Sequence, residues 1–460
     1  MKFLNSVKNF FVKFHHRFVD GSVGTKISHF IMGVGNLCHK QIIKGLLYFL
    51  IQIVFLVIMV LCPMVNNTPL GFMALRNLKT LGTNEGTINT AADDSRLMLL
   101  FGVVTIGIIV LYLFAWLSNI KSSYKADVDK REGKKPTKFI EDIKSLLDDR
   151  FHILMLTPTC IAALVFTILP TVFMILIAFT DFGNTEKETV ESFFNWVGFD
   201  NFKGIFSTVD SELSRFGSII LWTFIWAFFA TFTCYFAGII VALLINKKGV
   251  RCKKLWRTIF ILTIATPQFV SLLAVRNLLG TYGPINGLLQ SLHITSGPVV
   301  FLGEVSLDKA WVAKVMVILI NLWIGMPYTM LMTSGILMNI PSDLYEAATI
   351  DGATKTKMFT KITLPYILFV TGPYLISSFV GNITSFNIIY LLTGGGPSFM
   401  DASKAGATDL LVTWLYKLTI DEGIYNVGSV ISIFTFLITA SITLITYRRS
   451  KSYKQEDTFQ

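Results

Sequence analysis

The sequence predicts an all-α membrane protein of about eight transmembrane helices, and three observations carry that expectation. Of 460 residues, 53% are hydrophobic and only 15% charged, against roughly 25% charged in an ordinary soluble domain. Apolar windows of about 20 residues, long enough to cross a hydrocarbon core of roughly 30 Å, recur along the whole chain. Lys and Arg are distributed unevenly between the segments that join those windows.

The windows fall near Ile42–Cys62, Leu97–Leu117, Phe151–Phe179, Ser218–Ile245, Trp256–Leu279, Val312–Leu337, Tyr366–Leu392 and Val427–Tyr447. Segments 1–41, 118–150, 246–255, 338–365 and 448–460 hold 27 Lys and Arg, whereas 63–96, 180–217, 280–311 and 393–426 hold 9. Cytoplasmic connections carry the excess, so both termini and segment 338–365 are expected in the cytoplasm. The net charge of +11 then reflects topology and contact with an anionic bilayer, not a nucleic-acid footprint. The five cysteines (Cys38, Cys62, Cys160, Cys234, Cys252) form no CxxC pair, and neither an outer disulfide nor a metal site is expected.

In chain order, residues 1–41 interleave Phe3, Phe10, Phe11, Phe14 and Phe18 with Lys8, Lys13, His15, His16 and Arg17. That pattern fits an interfacial amphipathic helix or a flexible basic tail. The first apolar run is long and lacks a small-residue cleavage site, so it reads as a retained span rather than a signal peptide. The first two spans form a hairpin. The linker Lys121–Arg150, with nine basic and seven acidic residues, is the clearest boundary. Residues 1–150 are expected as N-terminal segment, hairpin and linker, and 151–460 as a six-span core. In the outer loop Asp181–Gly217, the aromatic stretch Asn195–Phe202 packs on a partner, on the membrane edge, or on the loop itself.

Segment 338–365 is expected to form two short helices. Pro341-Ser342-Asp343 provides a start, with Ser342 or Asp343 accepting a bond from an exposed backbone N–H. Leu344, Ala347, Ala348 and Asp351 recur at helical spacing and leave one face small enough for another protein's backbone to approach. Gly352 supplies the turn, a second helix follows from about Thr354, and Leu364-Pro365 redirects the chain into the next span. An ordinary helical hairpin is the alternative. No Gly-x4-Gly-Lys-Ser/Thr phosphate loop occurs, and the spans hold no Asp or Glu for a proton or sodium relay. Energy for any transport must come from another protein.

At about 1.5 Å rise per residue, Gln268, Asn321 and Asn382 fall near one depth, with Trp323, Gly325, Pro327, Tyr328, Thr384, Ser385, Phe386 and Asn387 close by. Neutral hydrogen-bonding groups with aromatic faces suit a sugar, whereas a metal ion or phosphate would want carboxylates or cations. The competing reading is that these amides only bond neighbouring helices. Arg276 and Lys314 lie near the outer ends of their spans and are expected to snorkel.

The spacing Glu346-Ala347-Ala348, Gly352, Ile362, Leu364-Pro365 resembles the EAA loop, the cytoplasmic coupling motif of permease subunits in binding-protein-dependent ABC importers. Asn321–Tyr328, Ile340–Ala347 and Ala405–Val412 are similar to the maltose/maltodextrin permease family, specifically to the larger, eight-span member of its heterodimer. The resemblance covers roughly residues 150–450. It implies ATPase-coupling roles for Glu346, Ala347, Ala348, Gly352, Ile362, Leu364 and Pro365. It implies sugar contacts at Ile264, Gln268, Asn321, Ile324, Gly325, Tyr328, Gly381, Asn382 and Ser385. It further implies a bacterial cell membrane, a second permease subunit, two nucleotide-binding ATPase subunits carrying ATP and Mg, and an extracellular sugar-binding protein. This chain would bind no cofactor and catalyse no bond-breaking step.

Two departures matter. Gly381 and Ile264 stand where the enterobacterial member has aromatic residues, which widens the site and favours a longer saccharide. That member's large outer domain between spans three and four is missing. Permeation of another oligosaccharide or a glycerol-linked sugar stays open. A proton-coupled carrier or a channel acting alone is a remoter alternative, and a membrane enzyme lacks a visible nucleophile–base pair.

Overall fold

The computed structural model describes residues 2–61, 64–65, 68–83, 94–137, 139–183, 193–204, 213–247, 249–303, 307 and 310–449. Cys62 lies outside them. Packing divides the chain into two compact units, Met1–Gly198 and Phe199–Gln460. The division falls one span later than residue 150, because the third span packs with the hairpin.

The first unit begins with α1 (Lys2–Val19), α2 (Val23–Ile27) and α3 (Val34–Cys38), followed by the first span α4 (Ile42–Val60). Two-residue strands β1 (Met64–Val65) and β2 (Thr68–Pro69) pair antiparallel before α5 (Phe72–Lys79). The second span, α6 (Ser95–Arg131), runs 37 residues, well past its apolar window. Then come α7 (Phe139–Leu147) and the third span, α8 (Phe151–Ala163) and α9 (Leu169–Ile177), joined by a π-turn over Leu164–Ile168.

The flexible-tail reading of residues 1–41 is corrected here. Residues 2–19 are helical, and 20–41 fold onto the polar extension of α6. Asn119 accepts from Gly33 N–H at 2.9 Å and donates to Ser28 O at 3.0 Å. Ser123 donates to Thr25 Oγ1 at 3.1 Å, and Asp127 accepts from Ser22 N–H at 2.7 Å. Phe14 and Phe18 both lie against the His29 ring, and Phe14 also meets Trp116. In the loop after the third span, Phe194 is buried and Trp196 donates to Leu78 O at 2.7 Å, so that part of the aromatic stretch packs on its own unit.

The second unit opens with α10 (Asp200–Lys203) and the fourth span α11 (Phe216–Asn246). It continues through α12 (Lys253–Ala265), α13 (Gln268–Leu279), α14 (Pro284–Ser291) and the sixth span α15 (Ala310–Met338). Helices α16 (Ser342–Ile350) and α17 (Lys355–Met358) occupy the 338–365 segment. Beyond them lie α18 (Leu364–Ile383), α19 (Asn387–Thr393), α20 (Leu411–Tyr416) and the last span α21 (Tyr425–Arg449). Among the described residues seven helices are long and apolar enough to span a membrane, or eight if the bent pair α12 and α13–α14 counts as one.

Lipid tails are as apolar as leucine, so hydrophobicity alone does not join spans; close packing and interhelical hydrogen bonds do. Helices α11 and α15 show both. A Cβ on Gly238 of α11 would stand 2.6 Å from Thr329 Cβ of α15, and one on Gly325 of α15 would stand 2.9 Å from Cys234 Sγ of α11. Each helix thus offers a glycine to the other's side chains. Trp226, Ala230, Leu272, Val317, Ile389 and Leu410 fill the core around this seam. Tyr235 and Thr371 hydroxyls, 2.6 Å apart, tie α11 to α18.

Candidate functional site

Two spans drawn as continuous in sequence are interrupted, and the interruptions coincide with the polar residues. The fifth expected span, Trp256–Leu279, breaks at Thr266-Pro267, and Lys253–Ala265 and Gln268–Ser291 on its two sides are bent by 93°. Pro267 brings no N–H and pushes the residue before it out of the helical region; Thr266 is extended, at ψ 131°. Gln268 is therefore the first residue of α13 rather than a mid-helix residue. The seventh expected span, Tyr366–Leu392, stops at Ile383 and restarts at Asn387. Its Gly381–Ser385 stretch is rich in poor helix formers. Non-helical backbone at membrane depth persists where protein or a polar cavity satisfies it.

The structure separates the nine expected substrate positions into two groups. Asn321, Ile324, Gly325 and Asn382 are engaged in helix packing. Asn321 Nδ2 donates to Ala230 O at 3.4 Å and to Cys234 Sγ at 3.5 Å. Asn382 Nδ2 donates to Thr231 Oγ1 at 2.9 Å, while its carbonyl accepts from Trp226 Nε1 at 3.1 Å. The two amides thus converge on adjacent residues of α11. Ile324 packs on the core, and Gly325 faces Cys234.

Ile264, Gln268, Tyr328, Gly381 and Ser385 remain exposed or half-buried. The Gln268 side chain bonds no described residue, and a Cβ on Gly381 would meet nothing within 4 Å. Tyr328 lies against Tyr374 with ring centroids 5.4 Å apart. Exposed Trp323 adds another aromatic face on α15. Lys314 places its ammonium 4.7 Å from the Trp222 ring centroid.

Residues that sequence reasoning missed lie mainly on α11. Trp226, Ala230, Thr231 and Cys234 recur at three- and four-residue spacing, a face that helical periodicity could have flagged. Tyr390 and Tyr416 were also missed. With Phe386 they form an aromatic trio whose centroids are 4.8 to 5.1 Å apart.

The 394–410 connection is held by two carboxylates. Asp409 is buried, accepts from Gly406 N–H at 2.7 Å and pairs with Lys417 Nζ at 2.6 Å. Burial pushes its carboxyl up against the pull of Lys417, Gly406 and Thr413. Asp401 pairs with Arg215 Nε at 2.7 Å. Partial burial would raise its carboxyl, but bonds from Ser403 and Arg215 outweigh that and hold it below the usual range.

In the 338–365 segment, α16 buries no residue. Its cap is Pro341, which offers no side-chain bond, so the expected capping by Ser342 or Asp343 is corrected; Ser342 instead donates to Asp343 Oδ1 at 3.3 Å. The end of α16 follows the expectation. Gly352 has φ +71°, Ala353 N–H reaches Ala348 O at 2.9 Å and Gly352 N–H reaches Thr349 O at 3.0 Å. This paired closure with a left-handed glycine is the Schellman motif. Thr354 then caps α17, accepting from Lys357 N–H at 3.3 Å.

Leu364-Pro365 does not redirect the chain, which is a second correction. The helix runs from Lys355 to Ile383 through a π-turn over Phe359–Thr363. The wider turn absorbs the missing N–H and ring of Pro365 without a break. Tyr345 OH meets Thr363 Oγ1 at 2.8 Å and fastens α16 to that π-turn. Glu346, Ala347, Gly352 and Pro365 are exposed; Ala348, Ile362 and Leu364 are half-buried. Glu346 has no ion pair among the described residues.

A model of the family described as binding-protein-dependent transport system inner membrane component matches residues 234–451. The chain is 33% identical over 434 residues to the maltodextrin transport system permease protein MalC of Streptococcus pneumoniae, covering 93% of this chain and 95% of that one. It is 32% identical over 428 residues to the galactooligosaccharides transport system permease protein GanP of Bacillus subtilis, covering 93% and 97%. A solved bacterial ABC transporter involved in the import of the acidic polysaccharide alginate is similar in fold. Its TM-score is 0.54 at 24% identity, over 67% of this chain and 98% of that one.

Proposed function

The chain belongs to the family of binding-protein-dependent transport system inner membrane components, and from that premise we propose that it is the permease subunit of an ABC importer for maltooligosaccharides. The similarity to MalC over nearly the whole of both chains is the observation that carries the substrate. A sugar delivered outside by a binding protein would pass Gln268, Tyr328, Gly381 and Ser385, beside the two helix breaks. Discontinuous helices at membrane depth are a recurrent setting for transporter sites. Asn382 holds the second break against α11 and Asn321 ties α15 to the same stretch, so both serve packing more than cargo contact.

Both termini and segment 338–365 lie in the cytoplasm in this reading, as the Lys and Arg excess supports. There α16 inserts into a nucleotide-binding subunit, one of two that carry ATP and Mg. Closure of those subunits is passed through Tyr345, the Phe359–Thr363 turn and α18 to the break at Thr384. A second permease subunit completes the pathway, the chain itself hydrolyses nothing, and residues 151–460 supply the six-span core.

The similarity to GanP favours a second reading, import of galactooligosaccharides. Uptake of labelled maltotriose and of a galactotriose by a strain lacking this chain, with and without its gene restored, separates the two. Restored maltotriose uptake supports the first; restoration for the galactoside alone replaces it with the second.

A further inference from the structure

In the first unit a cleft of about 470 Å³ opens between α4, the polar extension of α6, α7 and the start of α8. Its mouth carries Lys121, Lys125 and Arg150, all exposed and none in an ion pair among the described residues. Also on the lining, Tyr48 OH and Ser118 Oγ meet at 3.0 Å. Lys44 is buried in the wall, ion-paired to Asp142 and donating to Thr137 O at 3.1 Å. Asp129 adds one lining anion, so the unpaired groups leave a positive surplus. Leu146 and Ile153 close the cleft with apolar surface where α8 begins its span. A second cavity, of about 480 Å³, lies between α1 and α6 and shares Lys121 and Lys125, adding Lys13 and Arg17.

We propose that this cleft binds the phosphate of an anionic lipid headgroup. Unpaired basic groups and hydroxyls face one cavity, and an apolar wall continues into a membrane-spanning helix. A phosphodiester with acyl chains satisfies all three features, because charge, donors and apolar surface are each met by a different part of one molecule. Basic pockets at the cytoplasmic ends of spans attract such headgroups. Bound lipid would hold the 20–41 segment and α7 against the membrane surface. Maltooligosaccharides carry no charge, so the cleft has no place in the sugar pathway.

Native mass spectrometry of the full chain purified in detergent, titrated with phosphatidylglycerol and with phosphatidylcholine, tests this. Phosphatidylglycerol should be retained and phosphatidylcholine lost. In K121Q/K125Q/R150Q retention should fall by about a hundredfold, near the sum of three basic contacts, while K134Q/K135Q on the exposed linker leaves it unchanged. K121R/K125R/R150K should restore it, and unaltered melting of all variants shows intact folds. Millimolar inorganic phosphate should not displace the lipid. Displacement that disappears in the triple Gln variant would keep the phosphate chemistry and reassign the source to a free anion. Equal retention of phosphatidylglycerol by wild type and the triple Gln variant, or equal retention of the two lipids, overturns the proposal.

Discussion

Helices α11 and α16 belong to the same compact unit and are built for opposite ends. Helix α11 is the most enclosed span: Trp226, Ala227 and Ala242 are fully buried, and its polar groups bond α15 and α18. Helix α16 buries nothing, ends on a left-handed glycine and touches the π-turn through one tyrosine. One helix is anchored by this chain along one face, with Leu221, Phe228, Phe236 and Ile240 exposed on another. The other has the geometry of a finished element and a surface left exposed. Under the proposed function, an ATPase subunit engaging α16 would leave the packing around α11 undisturbed.

The contrast predicts that substitutions on α11 cost stability and those on α16 cost function. The largest effect should come from Trp226→Ala, which empties the core around Leu272 and Ile389 and removes the donor to Asn382. A loss of about 3–5 kcal/mol is expected, read as reduced thermal stability in detergent. Retention of wild-type stability would mean that α11 is not the hub. Gly325→Leu follows. Its side chain must displace Cys234, and overpacking of this kind costs about 1–3 kcal/mol. A Cys234→Ala background should recover part of that loss, since it clears the sulfur; no recovery would place the strain elsewhere.

Asn382→Ala should be milder, about 1 kcal/mol or less, as interhelical hydrogen bonds within membranes usually are. Its sharper signature is functional, because the break at Thr384 loses its anchor to Thr231. Sugar affinity and transport rate should change together. A selective loss of affinity alone would move Asn382 back among the direct sugar contacts. Glu346→Ala should be smallest in stability, within about 0.5 kcal/mol. A large loss of stability there would show that α16 is structural after all.

Much of this architecture is readable locally. Apolar windows announce the spans because a run of about 20 residues is a property of the segment itself. The turn at Gly352 is equally local, since the backbone there needs a conformation that favours glycine. What escaped the sequence depends on distant partners or on how strain is absorbed. The fifth span read as continuous, and its break at Thr266-Pro267 was not foreseen. Pro365 signalled a redirection that a π-turn removed. The order of residues 20–41 rests on bonds to Asn119, Ser123 and Asp127, roughly a hundred residues away. At the candidate site, Gln268 and Asn382 lie beside the breaks, whereas Asn321 lies within α15. That Asn321 and Asn382 bond α11 depends on its register, which no local pattern in α15 or α18 contains.

The central claim is that α16 passes an external ATPase's movement to a sugar pathway it does not itself form. The direct measurement is ATP-driven uptake of maltotriose by the full transporter in liposomes, comparing wild type with Glu346→Lys and recording melting and ATP hydrolysis on the same samples. The account predicts that uptake is lost while the fold is retained and ATP hydrolysis no longer follows sugar. Unchanged uptake in Glu346→Lys, or maltotriose transport by this chain without any ATPase, would contradict it.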